Sequence, residues 1–377
     1  MIQSKVNNKP KILFVVTEDW YFVSHRLPLA VTAMEAGFDV AVAARVGVHA
    51  ETIRKAGIRL IPFEISRRIG NPLREILGLV FLYRRERPDV VHHVALKLVL
   101  YGSLAARLAG VSAQVNAVAG LGWLFISRNW IVRWVRPLIR KTLVCLLNAS
   151  HCRVIVQNPD DVALLRKTGV LESNLRQICG SGVDIVGFSP VSESPLPVCV
   201  VLATRLLWDK GVGEFVEAAR QLKQSGTNAR FILVGKPDPN NPASVTEVVL
   251  RAWQKEGIVE CWGHREDMPT VFHAAHIVCL PSYREGLPKV LQEAAACGLP
   301  IVATDVPGCR EVVREGENGL LVPARDAQAL AKALIRLIED SEIRAKMGRR
   351  SREIALAEFS SKHVNAQILD IYKEVLA

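Results

Sequence analysis

At 377 residues, half of them hydrophobic, the chain exceeds the roughly 250–300 residues at which one core stops growing, so two domains with sizeable cores are expected. The net charge of +11 is unevenly placed: residues 1–190 hold 25 Lys and Arg against 13 Asp and Glu, the remainder 23 against 24, so the first half is expected to face an anionic partner. The eight cysteines form no CxxC pair or zinc-spaced cluster and read as reduced thiols of a cytoplasmic protein, and no apolar run is long enough for a membrane span.

The opening MIQSKVNNKP is polar, and the apolar run behind it is too short for a signal peptide. Short β-branched runs then alternate with helix-length segments, the pattern of parallel sheets covered by helices. In the first half the runs are Ile12–Val16, Val40–Ala44, Leu60–Phe63, Val90–His93, Gln114–Val118 and Arg153–Gln157. In the second they are Cys199–Ala203, Phe231–Val234, Val259–Trp262, Ile277–Leu280, Ile301–Thr304 and Leu320–Val322. Between the halves Phe188–Val198 reads FSPVSESPLPV, without periodicity, and is the expected linker. The expected organisation is an α/β chain of two Rossmann-like, doubly wound domains, 1–190 and 191–360, facing across a cleft that binds ligands beyond the strands' carboxyl ends. The final helix, 361–377, is free to belong to either.

After the first strand the chain reads TEDWYFVSHRLP. Ser24 is the expected N-cap of a helix, with His25 and Arg26 in its first turn. Cations there oppose the helix dipole, so a bound anion, an acceptor phosphate, explains them better than stability does; the alternative is an exposed basic turn. The segment Ser127–Leu147 places Arg133, Arg136 and Arg140 on one helical face and Trp130, Trp134 and Leu138 on another. A cationic helix bearing tryptophan is expected to lie in a membrane interface, with Arg67, Arg68, Arg84, Arg85 and Arg87 extending the same basic face. The alternative is a domain helix whose apolar side is core.

The densest motif is SYREGLPKVLQE, Ser282–Glu293, directly after a strand. Pro288 suits a first helical turn, which would leave the amides of Gly286 and Leu287 as an anion site. Glu285 precedes the helix and Glu293 follows Pro288 by about 7.5 Å of helix axis. Two carboxylates bracketing an anion site suit a hydroxyl-rich, diphosphate, hydroxyl-rich molecule: a nucleotide sugar. A second cluster, ATRLLWDKG, sets Arg205 and Lys210 at a strand's carboxyl end, where both cations meet the diphosphate as it leaves. Taken singly, each cluster also reads as surface charge.

With Glu285 and Glu293 in an E-x7-E arrangement, the run EGLPKVLQEAAACGLPIVATDVPG and the upstream Arg205 and Lys210-Gly211, the chain resembles the retaining glycosyltransferases of family 4, which have the GT-B fold. The resemblance spans nearly the whole chain. It implies that Arg205 and Lys210 neutralise the donor diphosphate, that Glu285 with the amides of Gly286 and Leu287 holds the sugar and its phosphates, and that Glu293 binds ribose. It also implies front-face transfer with retained configuration, no cofactor and usually no bound metal, in keeping with the missing Asp-x-Asp motif. Two departures stand out. The loop after the first strand lacks the family's Gly-Gly pair, and Ala119 stands where relatives often carry a histidine. His92 and His93 are candidates for that space, although strand-end histidines are more often structural.

The runs GLGWLF and EDWYFVSHRLPLA resemble, more narrowly, bacterial transferases that extend undecaprenyl-diphosphate-linked sugars. That likeness implies a UDP-N-acetylhexosamine donor and a polyprenyl-diphosphate-sugar acceptor, in O-antigen, capsule or glycan assembly, with the enzyme peripheral on the inner face of the cell membrane. Rival readings are a nucleotide-sugar epimerase of related shape, a nucleic-acid-binding protein, and a lectin-like scaffold. No nucleic-acid motif accompanies the basic half, and no nucleic-acid partner is expected. The presumed donor residues are all present, which disfavours a decayed scaffold.

Overall fold

The computed structural model describes residues 9–66, 70–118, 130–239 and 241–377, the side chains of 130–136 excepted. The chain divides into two compact units, Met1–Ser181 with Lys362–Ala377, and Gly182–Ser361.

Among its described residues the first unit holds seven parallel strands: β1 (Lys11–Glu18), β2 (Asp39–Arg45), β3 (Arg59–Pro62), β4 (Val90–Val94), β5 (Ala113–Ala117), β6 (Cys152–Val156) and β7 (Leu175–Gln177). They lie in the order β3-β2-β1-β4-β5-β6-β7. All neighbouring pairs are parallel, as Ile12 against Val40 and against Val90 shows. Side chains alternate along β1. Ile12, Phe14 and Val16 enter a core closed by Val364, Ile368 and Tyr372 of the final helix, Ser361–Leu376. Leu13 and Val15 enter another with Leu79 and Tyr83 of the helix Pro72–Glu86. A sheet covered on both faces needs apolar residues at every strand position, which is why the runs were readable in sequence. Strand β7 carries only Leu-Arg-Gln and gave no such signal.

The second unit repeats the plan with β8 (Val198–Ala203), β9 (Ala229–Val234), β10 (Glu260–Gly263), β11 (Ile277–Leu280), β12 (Ile301–Thr304) and β13 (Gly319–Val322). The order is β10-β9-β8-β11-β12-β13, again all parallel. Crossovers leave β8 and β11 in opposite directions across the sheet, so a crevice opens between their carboxyl ends.

The expected linker is placed differently. Phe188–Val198 lies inside the second unit, and the division falls at Ser181/Gly182 and again at Ser361/Lys362. Proline and serine removed periodicity from the segment without freeing it. The Phe188 carbonyl accepts from Arg352 at 2.9 Å, Glu193 takes the buried Arg344 guanidinium at 2.8 Å, and the Ser194 hydroxyl donates to the His273 carbonyl at 2.7 Å.

Candidate active site

The turn after β8 carries Lys210 as the last residue of the short helix Trp208–Lys210. The loop after β11 carries Glu285. Lys210 Nζ lies 2.6 Å from Glu285 Oε1, and the Ser282 hydroxyl donates to the same oxygen at 2.6 Å. Both charged side chains remain 12–17 % exposed, so the pair is open to a ligand while largely shielded from water. Backbone contacts fix the two loops to one another: the Tyr283 amide donates to the Asp209 carbonyl at 2.9 Å. The Thr304 hydroxyl, at the end of β12, donates to the Ser282 carbonyl.

Two glycines make this convergence possible. Gly211 has φ +72°, and a Cβ there would sit 2.1 Å from the Pro281 carbonyl oxygen; Gly308 has φ +83°, and its Cβ would meet the Gly286 carbonyl oxygen at 2.5 Å. Only glycine takes both the left-handed backbone and the close approach.

Glu293 lies on the helix Lys289–Ala296, whose N-cap is Pro288, so the proline precedes the first turn instead of lying within it. Gly286 and Leu287 therefore precede the cap, and the Leu287 side chain is buried. Glu293 is 8 % exposed, 3.3 Å from Lys289, and burial pushes its carboxyl above the ordinary range. A buried carboxylate beside one partly exposed lysine is held at a cost to the fold. Because its folded pKa is raised, the contribution of this group to stability is full below the unfolded pKa and is lost as pH rises through the folded value. Glu293→Gln is therefore expected to stabilise the second unit at neutral pH, by a margin that shrinks toward acid, as thermal melts from about pH 4 to 8 would show. A variant less stable than wild type at neutral pH would overturn this reading.

The Arg205 side chain, 53 % exposed, reaches Asp238, after β9, at 3.5 Å. Sequence reading also missed Tyr283 and its support: the hydroxyl donates to Glu214 at 2.6 Å, and the Arg325 guanidinium lies 4.5 Å from the ring centroid. Burial, then the Glu214 carboxylate, pushes the Tyr283 phenol up to about 12. No periodicity marks such a contact, because its partners are distant in the chain.

In the first unit, the expected helix beginning at Ser24 is not formed. Asp19–His25 is one helix and Leu27–Glu35 the next, with Arg26 as the junction. His25 thus ends a helix, where a cation agrees with the dipole, and the dipole argument for an anion at His25 fails. Its ring stacks on Tyr21 at 4.3 Å. Arg26 is 3 % exposed, forms no ion pair among the described residues, and its Nε has no hydrogen-bond partner among them. Its charge bears on His92 and Tyr372.

His92 and His93 are core residues. His92 Nδ1 is 2.6 Å from the Tyr372 hydroxyl and its ring stacks on Phe14; His93 bridges Asn116 at 2.8 Å and Tyr83 at 2.9 Å. Burial lowers both, His93 to about 4, so they are neutral at physiological pH. Neither supplies a strand-end catalytic imidazole, and Ala119 lies outside the described residues. Just beyond them Ala95 holds φ +77°, a strained backbone at the β1/β4 crevice that sequence could not announce.

Of the expected membrane helix, Trp130–Leu147 is helical, but the side chains of Trp130, Arg133, Trp134 and Arg136 lie outside the described residues, as do Arg67 and Arg68. Arg140 donates to the carbonyls of Lys167 at 3.2 Å and Thr168 at 3.4 Å, closing the end of the helix Pro159–Thr168. Among the described residues no helix is long and apolar enough to cross a membrane.

Two doubly wound sheets, with a lysine–glutamate pair at the switch point of the second, define a GT-B fold with a site suited to an anionic, hydroxyl-bearing ligand. Residues 11–157 match the family described as glycosyl transferase 4-like and residues 197–340 match glycosyl transferases group 1; the chain belongs to these glycosyltransferases. It is 27% identical, over 93% of its length and 95% of the relative's, to the N,N'-diacetylbacillosaminyl-diphospho-undecaprenol alpha-1,3-N-acetylgalactosaminyltransferase of Campylobacter jejuni. It is 25% identical, over 71% of each chain, to the UDP-Gal:alpha-D-GlcNAc-diphosphoundecaprenol alpha-1,3-galactosyltransferase of Escherichia coli. Among solved structures, Anabaena Alr3699/HepE in complex with UDP-glucose shares the fold, with a TM-score of 0.79 at 21% identity over 97% of this chain and 99% of that one.

Proposed function

We propose that this glycosyltransferase moves an N-acetylhexosamine from a UDP-sugar to a polyprenyl-diphosphate-linked sugar, with retention of anomeric configuration, in the assembly of a bacterial surface glycan. The observation that carries the reading is the Lys210–Glu285 contact at the β8/β11 switch point. The two relatives extend the support to the acceptor, since each is named for transfer to an undecaprenyl-diphosphate-linked sugar.

In this reading Lys210 offsets the charge that gathers on the diphosphate as the sugar–phosphate bond breaks, and Arg205 adds a second cation. The acceptor hydroxyl attacks from the face the diphosphate leaves, and its proton passes to the departing phosphate oxygen. Glu285 with the amides of Gly286 and Leu287 orients sugar and phosphates, and Glu293 accepts from ribose hydroxyls. Arg26 supports an acceptor-phosphate role for the first unit: a buried cation without a carboxylate among the described residues is offset by a bound anion. Two cations for the diphosphate leave no electrostatic need for a metal ion. The proposed place of work is the inner face of the cell membrane.

The test is UDP release from a panel of UDP-sugars, with and without a short-chain polyprenyl-diphosphate-sugar in detergent, with EDTA in a parallel series. Release is expected only with both substrates, unchanged by EDTA, and Arg26→Gln is expected to raise KM for the acceptor about tenfold with little change for the donor. Release without any acceptor, or isomerised UDP-sugar in place of UDP, would overturn the assignment.

A further inference from the structure

The helix Pro72–Glu86 is anchored on one side and bare on the other. Leu79, Val80, Leu82 and Tyr83 are buried, all four in the core shared with β1. Opposite them Leu73 is 67 % exposed, Leu77 55 % and Phe81 68 %. Spaced four residues apart, these three form a ridge running about 12 Å along the axis. Arg74, Arg84 and Arg85 are exposed on the same side of the helix. At about 100° per residue all six side chains fall within an arc of roughly 120°.

Glu75 is turned away to Lys97 at 2.7 Å, while Glu86 holds Lys11 at 3.0 Å, Arg59, and Arg85 Nε at 3.0 Å, so of the three arginines only Arg85 has its charge met by a carboxylate. The Arg84 guanidinium donates to the Leu108 carbonyl at 3.1 Å, which continues the face onto the end of the helix Leu96–Ala109, where Leu108 is itself 52 % exposed. Arg74 and Arg84 make no ion pair among the described residues, so their charge is available to a partner.

We propose that this face, Leu73, Leu77 and Phe81 flanked by Arg74 and Arg84, seats the enzyme on an anionic lipid surface. The ridge enters the acyl boundary while the guanidinium groups remain at the level of the phosphates. Apolar bulk alone would suit any greasy partner; charge of one sign on both sides of the ridge selects a surface carrying many anions. The sequence named Arg84 and Arg85 only as extensions of the basic face of Ser127–Leu147; the apolar ridge beside them read as core until the fold showed which side of the helix is covered. The lipid-linked acceptor of the proposed function gives this seat its use, but the seat can be tested without any acceptor.

The experiment is co-sedimentation of the full chain with vesicles of phosphatidylcholine alone or with about 30 mol % phosphatidylglycerol, at low and high salt. Wild type is expected to bind the anionic vesicles at least about tenfold more tightly than the neutral ones. The pair Leu77→Gln with Phe81→Gln should lose about tenfold at both salt levels, and Arg74→Gln with Arg84→Gln about as much at low salt only. All four positions are exposed, so the variants should melt with wild type and keep its turnover on a soluble short-chain acceptor. Undiminished vesicle binding by the apolar pair would overturn the proposal. So would a wild-type dimer that Phe81→Gln converts to monomer without any lipid binding, which would make the face a contact between copies. Failure of sugar transfer with intact vesicle binding would instead count against the proposed function alone.

Discussion

Lys210→Met and Glu285→Gln are each expected to lower kcat/KM for sugar transfer by about 10²–10³, with the double variant far less impaired than the product of the two. In the proposed reaction the lysine does two things at once. It would meet the charge of the leaving diphosphate, and at 2.6 Å it holds the Glu285 carboxylate, whose same oxygen accepts from Ser282. Removing either partner leaves the other misplaced, so the two losses overlap rather than multiply. Steady-state kinetics on the four proteins of the cycle provide the measurement, with circular dichroism to confirm folding. Losses below about fivefold in both single variants would remove the pair from the reaction and leave it a structural contact. Ser282→Ala should fall between these variants and wild type, since it withdraws one hydrogen bond to Glu285, worth about 1.5–3 kcal/mol to a charged acceptor.

Gly211→Ala is expected to destabilise the second unit by about 3 kcal/mol or more and to abolish transfer along with it. Two costs combine. The left-handed backbone at φ +72° disfavours any Cβ, by roughly 1–2 kcal/mol. The added carbon would also sit 2.1 Å from the Pro281 carbonyl oxygen, so the backbone of the turn and of the loop after β11 must part. That separation moves Lys210 away from Glu285, which couples the stability defect to the chemical one. Gly226→Ala supplies the control. It has φ +83° but nothing within 4 Å of the added carbon, so only the backbone cost of roughly 1–2 kcal/mol remains, and transfer should be retained. Thermal melts and transfer assays on the two variants decide the matter, and equal melting temperatures would show that the close approach carries no weight.

The first prediction was legible in the sequence to a large degree. Lys210 and Glu285 were singled out because each follows a recognisable strand, and the carboxyl ends of adjacent parallel strands are where such sheets bind ligands. Arg205 had the same credentials, and its contact with Asp238, after β9, was not legible, because the partner comes from a distant part of the chain.

Composition and pattern by themselves determined the two-domain α/β plan, twelve of the strands, and two residues, Lys210 and Glu285, that meet in the second unit. These follow from local rules: a strand buried on both faces must be apolar throughout, and loops at the carboxyl ends of adjacent parallel strands converge. Tertiary structure alone decided what depends on which side of a segment is covered. The FSPVSESPLPV run joined the second unit because Arg344 and Arg352 find partners in it, and the final helix, left open by its sequence, belongs to the first because Tyr372 reaches His92. His25 ends a helix where the chain alone suggested a beginning. The same reason governs Leu73, Leu77 and Phe81: hydrophobicity is a property of the residue, but exposure is a property of its neighbours, and those come from elsewhere in the chain.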